Sequence, residues 1–390
     1  MKLGIMITSY LAILILGFVI LRVLLKVALD GEKGRTVRTA ILSVFTVLIL
    51  FPMIGALVPD GPLCWFFQRW GNIIIGYAIY FYLSLLFVFL ICLVIKAAAG
   101  KKMKDMAKAM LIIPLILSVG INIMGMHTAT DVKVTNYEIP KEELNLSEPH
   151  RIVLIGDLHI GVNSGYQIYE DMVERINEQD PDAVLIAGDL VTSSFGAMKD
   201  PEKYAEIFRK IKTRYGTYAV YGNHDVDEPL LGGFTYYSKE DAHRNPKMEP
   251  WVRSCGWELL EDEVTEIPGL EGMVLVGRRD EAKPGDGIDE RMTLEELTGG
   301  ISPEKGILLL QHEPTDLDDL DDNGVALSLS GHTHDGQIFP GNIITRMIGP
   351  HSYGLKAWGD SKALVTSGVG FYGLPIRVCT ISEIVVIDFI

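Results

Sequence analysis

The chain opens with long apolar stretches that no charge interrupts. Residues 3–21, 40–58, 71–95 and 109–126 contain no Asp, Glu, Lys or Arg. An α-helix needs about 20 apolar residues to cross the hydrocarbon of a bilayer. The pattern predicts four spans, at about 3–25, 40–58, 71–95 and 107–126, forming an all-α transmembrane domain over residues 1–126. The first run is too long for a signal-peptide core, and it lacks a small-x-small cleavage site. Past Met126 the rhythm changes. "DVKVTNYEIP" alternates apolar and polar side chains and predicts a leading strand inside a linker at 127–150. Short apolar runs then end in polar clusters: "RIVLIGDLH", "DAVLIAGDLV", "TYAVYGNHD", "GMVLVGRRD", "GILLLQHEP", "VALSLSGHTH", "ALVTSGVG" and "EIVVIDF". Such runs fit strands buried on both faces. "YQIYEDMVERINEQ" and "PEKYAEIFRKIKT" have helical periodicity between them, so residues 151–390 read as a layered α/β domain. Residues 228–250 show no period and read as a long loop.

Charge separates the same two parts. Residues 1–126 hold 12 of the 35 Lys and Arg and 4 of the 50 Asp and Glu, a net of +8, which leaves −23 on the remainder. Basic residues crowd the first and third connections between spans: Arg22, Lys26, Lys33, Arg35 and Arg38, then Lys96, Lys101, Lys102, Lys104 and Lys108. The positive-inside rule assigns those connections to the cytoplasm and the domain after Met126 to the outer side of a cell membrane. The acidic balance argues against nucleic acid as a partner, because phosphate backbones seek Lys and Arg. Cys64, Cys92, Cys255 and Cys379 form no C-x-x-C pair and read as small buried residues.

The strand ends carry the chemistry. Asp157 and His159 close the first run, Asp189 the second, and Asn223, His224 and Asp225 the third. His312 closes the fifth, and His332 and His334 the sixth. Extended backbone would place residues i and i+2 on one side, so His332 and His334 would leave the strand together. In layered α/β domains strand carboxyl ends converge on one ligand-binding edge. The set is large enough for two cations, which could clamp phosphate oxygens and acidify a water. Mixed imidazole and carboxylate donors without cysteine favour Mn²⁺, with Fe and Zn²⁺ as alternatives.

The ordered motifs Asp157-Leu158-His159, Gly188-Asp189, Gly222-Asn223-His224-Asp225, His312 and Gly331-His332-Thr333-His334 resemble the signature of the calcineurin-like metallophosphoesterases, and "SGHTHDGQ" is similar to a bacterial membrane-bound branch. The resemblance implies a four-layer α/β/β/α sandwich and two divalent metal ions. It implies that Asp157, His159 and His334 hold one metal, that Asn223, His312 and His332 hold the other, and that Asp189 bridges. His224 would protonate the leaving oxygen, oriented by Asp225. One departure stands out: the second motif of the family often reads GDxxD, and Thr192 takes the place of the second aspartate.

Phe234, Tyr236, His351 and Arg377 are further candidates for substrate contact. The expected activity is hydrolysis of a phosphate mono- or diester at a membrane surface, lipid-linked or wall-linked. Relatives acting on UDP-linked acylated glucosamine work in the cytoplasm, so that substrate would require the opposite topology. Of the other classes, a transporter accessory domain would call for polar clusters in the spans. A non-catalytic metal-binding receptor would have no need of a His224 acid.

Overall fold

The computed structural model describes residues 2–59, 61–235, 243–285, 287–288 and 290–390, with backbone alone for residues 2–7 and 9. Tyr236 lies outside the described residues. The chain divides into two compact units. The first comprises residues 1–126 with 229–236 and 373–375, and the second holds the rest.

The first unit is built on five helices: α1 (Lys2–Ala28), α2 (Gly31–Ile49), α3 (Phe51–Leu57), α4 (Pro62–Ala99) and α5 (Ala109–Thr130, continuing into the second unit). They supply four candidate spans of 19, 27, 38 and 28 residues, α2 and α3 forming the second together. Pro52, in the first turn of α3, separates those two helices, since proline cannot donate into a continuous ladder. At most 28% of each apolar window is buried, and Ile13, Ile15, Val94, Ile116 and Met124 point outward. Apolar side chains so exposed suit a hydrocarbon solvent rather than water. Two polar side chains turn inward onto backbone carbonyls: Ser118 Oγ donates to Tyr77 O at 2.7 Å, and Asn122 Nδ2 to Ser118 O at 2.8 Å.

The second unit begins at His127, in the last turn of α5. Its first strand, β1 (Val132–Ile139), starts one residue past the helix. Then come β2 (His150–Ile155), α6 (Tyr166–Glu178), β3 (Ala183–Ala187), α7 (Pro201–Phe208) and β4 (Thr217–Val220). A small hairpin of β5 (Leu230–Leu231) and β6 (Phe234–Thr235) belongs to the first unit. The chain resumes with α8 (Met248–Ser254), β7 (Glu258–Leu259), β8 (Glu263–Thr265), β9 (Met273–Gly277), α9 (Leu294–Thr298), β10 (Gly306–Leu310) and β11 (Val325–Ser330). It ends with α10 (Gly341–Ile348), β12 (Gly354–Trp358), β13 (Ser361–Val365) and β14 (Ser382–Phe389). The stretch 228–250, expected as a loop, thus contains a hairpin and the start of α8.

Two six-stranded sheets result, ordered β1-β14-β2-β3-β4-β7 and β12-β13-β11-β10-β9-β8. Strands β2, β3 and β4 run parallel, as do β9, β10, β11 and β13. The sheets pack face to face. Ile152, Leu154 and Leu185 of the first share a core with Leu275, Leu308, Leu310 and Leu329 of the second. The alternate residues Val153, Ile155, Val184 and Ile186 point the other way, onto Tyr169, Met172 and Ile176 of α6 and Phe208 of α7. Val274, Val276 and Leu309 likewise face Leu294 and Leu297 of α9. β2, β3, β9 and β10 therefore bury both faces, which is why each reads as an unbroken apolar run. The layers are α/β/β/α, as a metallophosphoesterase sandwich requires. Cys255 is buried and Cys379 exposed, and both thiols are free.

Candidate metal centre

The chain turns sharply at the ends of β2, β3 and β11, where they meet the site. Asp157, His159, Asp189, His332 and His334 all have positive φ, between 48° and 71°. Side chains with a Cβ rarely adopt that region, and such outliers gather where surrounding structure enforces them. The His332-Thr333-His334 segment is therefore not extended. Its two imidazoles part into different groups, contrary to the expectation that they leave the strand side by side.

One group is Asp157, His159 and His334; the other is Asp189, His312 and His332. In each, the candidate donor atoms lie within 4.8 Å of one another. His159 Nε2 is 2.9 Å from His334 Nε2, with the rings stacked at 4.9 Å between centroids. His334 Nε2 is 3.4 Å from Asp157 Oδ1. In the second group Asn223 Oδ1 lies 3.0 Å from both His312 Nε2 and His332 Nδ1. Asp189 Oδ2 joins the groups, 3.1 Å from His312 Nε2 and 3.4 Å from His159 Nε2. Imidazole lone pairs and carboxylate oxygens converging this closely repel one another unless a proton or a metal ion sits among them, and the donor types fit divalent metal.

Outer contacts aim these rings. His159 Nδ1 meets Thr192 Oγ1 at 2.8 Å, and His312 Nδ1 donates to Ala187 O at 2.7 Å. Bonds of this kind fix which nitrogen faces a metal. Thr192, the departure from GDxxD, thus supports a ligand.

Burial dominates the electrostatics. It pushes His159 and His332 down to about 3, and His334 well below the ordinary imidazole range, leaving neutral rings with open lone pairs. It lifts Asp157 to about 7. Burial alone would raise Asp189 and lower His312, but their mutual attraction wins: Asp189 lies well below the carboxylate range and His312 well above the imidazole range. In the metal-free protein Asp157 keeps its proton up to about pH 7, and His312 holds its own past the ordinary imidazole range. A cation held by these two groups would displace both protons, so its affinity would fall as pH drops through 7. Calorimetry of Mn²⁺ binding in buffers of different ionisation enthalpy should register proton release. Binding without release would contradict this electrostatic picture.

Other candidates land differently. His224 donates its backbone N–H to Asp189 Oδ1 at 2.8 Å, and its ring stacks on Tyr372 at 4.4 Å. Asp225 does not fill the orienting role expected of it. Its oxygens accept from Val191 N at 2.9 Å and Gly222 N at 2.7 Å, pinning two loops together. The His224 ring instead places Nδ1 2.9 Å from Glu228 Oε2. Arg377 is no substrate contact: it is 1% exposed and donates to the carbonyls of Ser367, Gly368 and Gly370, with Nη2 3.1 Å from His334 Nδ1. His351 is buried too, its Nε2 donating to Gly354 O at 2.7 Å. Phe234 belongs to the helical unit rather than the unit that holds these ligands. Sequence reading passed over Glu228, Lys283 and Tyr372. Only Glu228 left a trace, four residues beyond His224.

A two-sheet α/β sandwich with paired His, Asp and Asn groups at its strand ends is the framework of a metal-dependent phosphoester hydrolase. Comparison with known proteins agrees. The calcineurin-like phosphoesterase family profile matches residues 150–336. The Bacillus subtilis metallophosphoesterase YkuE is 30% identical over 255 residues, covering 60% of this chain and 77% of that one. A Danio rerio transmembrane protein with metallophosphoesterase domain is 30% identical over 291 residues, 70% of this chain and 61% of the relative. A Campylobacter jejuni metallophosphoesterase is 28% identical over 267 residues, 66% of this chain and 63% of the relative. The chain belongs to the calcineurin-like metallophosphoesterases. It spans about three-fifths of the length of the zebrafish and Campylobacter relatives.

Proposed function

We propose that the protein is a binuclear metal-dependent phosphoesterase, anchored by four spans, that hydrolyses a mono- or diester at the membrane surface. The observation that carries this reading is the Asp189 carboxylate lying between two groups of imidazoles, 3.4 Å from His159 Nε2 and 3.1 Å from His312 Nε2. Asp157, His159 and His334 would hold one cation and Asn223, His312 and His332 the other, with Asp189 shared. Bound divalent cations supply charge to neutralise phosphate oxygens and acidity to a water. His224 supplies a proton to the leaving oxygen, and the Tyr372 stack keeps its ring from swinging away. Thr192 and Ala187 O keep the His159 and His312 rings turned inward.

A membrane-borne substrate is favoured by the surface beside the centre. Ile343, Ile344, Met347 and Ile348 of α10 are 48–80% exposed. Arg346 of the same helix binds Asp335, next to His334, at 2.9 and 2.6 Å. Exposed apolar side chains so close to the ligands suit an ester with an acyl or polyprenyl tail. By the positive-inside rule the basic connections favour a domain outside the cytoplasm.

The test uses the full chain in detergent, stripped of metal and resupplied with Mn²⁺. Hydrolysis of bis-p-nitrophenyl phosphate, the p-nitrophenyl monoester and a phospholipid is followed. Metal-dependent turnover is expected, with the lipid ester favoured and that preference lost in Met347→Asp. Absence of both turnover and metal would overturn the enzyme reading. A cytoplasm-specific reporter active at Ile390 would overturn the topology and revive a cytoplasmic nucleotide-linked substrate.

A further inference from the structure

The second unit contains a carboxylate that the motifs do not predict. Glu228 is 4% exposed, and its two oxygens are divided between two nitrogen partners, a histidine and a lysine. Oε2 lies 2.9 Å from His224 Nδ1, and Oε1 accepts from Lys283 Nζ in a close ion pair. Lys283 is itself 6% exposed, and its backbone N–H is tied to Asp280 Oδ1 at 2.8 Å. A buried carboxylate is costly unless paired and hydrogen-bonded, and here it is both. Burial alone would raise the Glu228 carboxyl, but the His224 hydrogen bond and the charges of His224 and Lys283 outweigh it and hold the group below its ordinary value. An ionised Glu228 can only accept, so Nδ1 must carry the proton.

We propose that Glu228, secured by Lys283, is the positioning residue of the His224 acid, supplying from four residues downstream the carboxylate that Thr192 and Asp225 do not offer. The inference rests on the acid role proposed for His224. Tyr372 fixes the plane of the ring and Glu228 fixes its rotation within that plane. Nδ1–H stays on Glu228, so Nε2 is the nitrogen that exchanges a proton with the ester. As a water oxygen bonds to phosphorus, the bond to the leaving oxygen breaks and its electron pair goes to that oxygen. Nε2–H passes to it, and the ring is left neutral with Nδ1–H still on Glu228. The water's spare proton goes to solvent, from which Nε2 is later recharged. A carboxylate held on one ring nitrogen in this way sets what the other can do.

The test compares wild type, Glu228→Gln, Lys283→Met and His224→Ala as full-length, Mn²⁺-loaded protein on aryl and alkyl phosphodiesters that span leaving-group pKa. Good leaving groups need no acid, and poor ones do. For Glu228→Gln we expect about a 10–100-fold loss on alkyl esters and less than about a 3-fold loss on the dinitrophenyl ester. Lys283→Met should lose less, with the same trend. His224→Ala should steepen the dependence further. Metal content should not change. As a readout apart from turnover, ¹⁵N-histidine spectra of the metal-free chain, assigned with His224→Gln, should show the His224 proton on Nδ1 in wild type and moving to Nε2 in Glu228→Gln. A uniform loss across the series, or an unchanged tautomer, would assign Glu228 a purely structural part and overturn the inference while the acid reading stood. If His224→Ala itself showed no leaving-group dependence, the acid reading would fall, and the inference with it.

Discussion

Asp189→Asn should abolish turnover, by about 10³-fold or more in kcat/KM. One oxygen of this carboxylate lies within 3.4 Å of imidazoles from both donor groups, and the other holds the His224 backbone N–H at 2.8 Å. An amide cannot replace it. It carries no charge, and its nitrogen would point a donor at a metal or at an N–H. His312 also depends on Asp189, whose charge is what lifts its pKa. Bound metal measured by mass spectrometry should fall from two ions per chain to one or none. A variant with both ions and rates within about tenfold of wild type would remove Asp189 from the shared position.

Gly222→Ala should be nearly as damaging, for a steric reason. A Cβ there would sit 2.3 Å from Asp189 Oδ1, 2.4 Å from Asp189 N and 2.8 Å from His312 Cγ. Two of these atoms belong to candidate ligand side chains and the third is backbone, so nothing can give way cheaply. Overpacking of this kind costs about 1–3 kcal/mol, and the displaced groups are the ones that would hold metal. Gly165 is the matched control, because a Cβ there meets nothing within 4 Å and its φ is negative. Thermal melts with and without Mn²⁺ separate the two. Metal bound only by the folded state raises Tm by mass action, and that gain should vanish in Gly222→Ala and persist in Gly165→Ala. An undiminished gain in Gly222→Ala would mean that the turn relaxes without disturbing the ligands.

The long elements were legible because their environment is uniform. Strand β2 is apolar at Ile152, Val153, Leu154 and Ile155 because one face meets the second sheet and the other meets α6. The outward faces of the four candidate spans are apolar, as a hydrocarbon solvent would require. Short elements were hidden. β5, β6 and β7 are two residues each, too short for any period to show. β11 also conceals a break: Val325 and Leu327 face different cores because the register shifts between them.

The chemistry divides in the same way. Residue identity at strand ends is local, so Asp157, His159, Asp189, Asn223, His224, His312, His332 and His334 could be named from the chain alone. The partner each one takes is not local. The left-handed turns at His332 and His334 send neighbouring imidazoles to different groups. Asp225 looked like the natural companion of His224, but the turn directs it to backbone N–H groups, and Glu228 takes its place. Arg377 resembled a phosphate ligand until burial committed its guanidinium to carbonyls. By itself the sequence determined the apolar helices, the buried strands and the set of available donors, because those depend on side-chain type and short-range period. Tertiary structure alone decided which donors share an edge, which carboxylate serves which histidine, and which arginine is buried against carbonyls. Those outcomes follow from distances between residues far apart in the chain, and no local pattern encodes them.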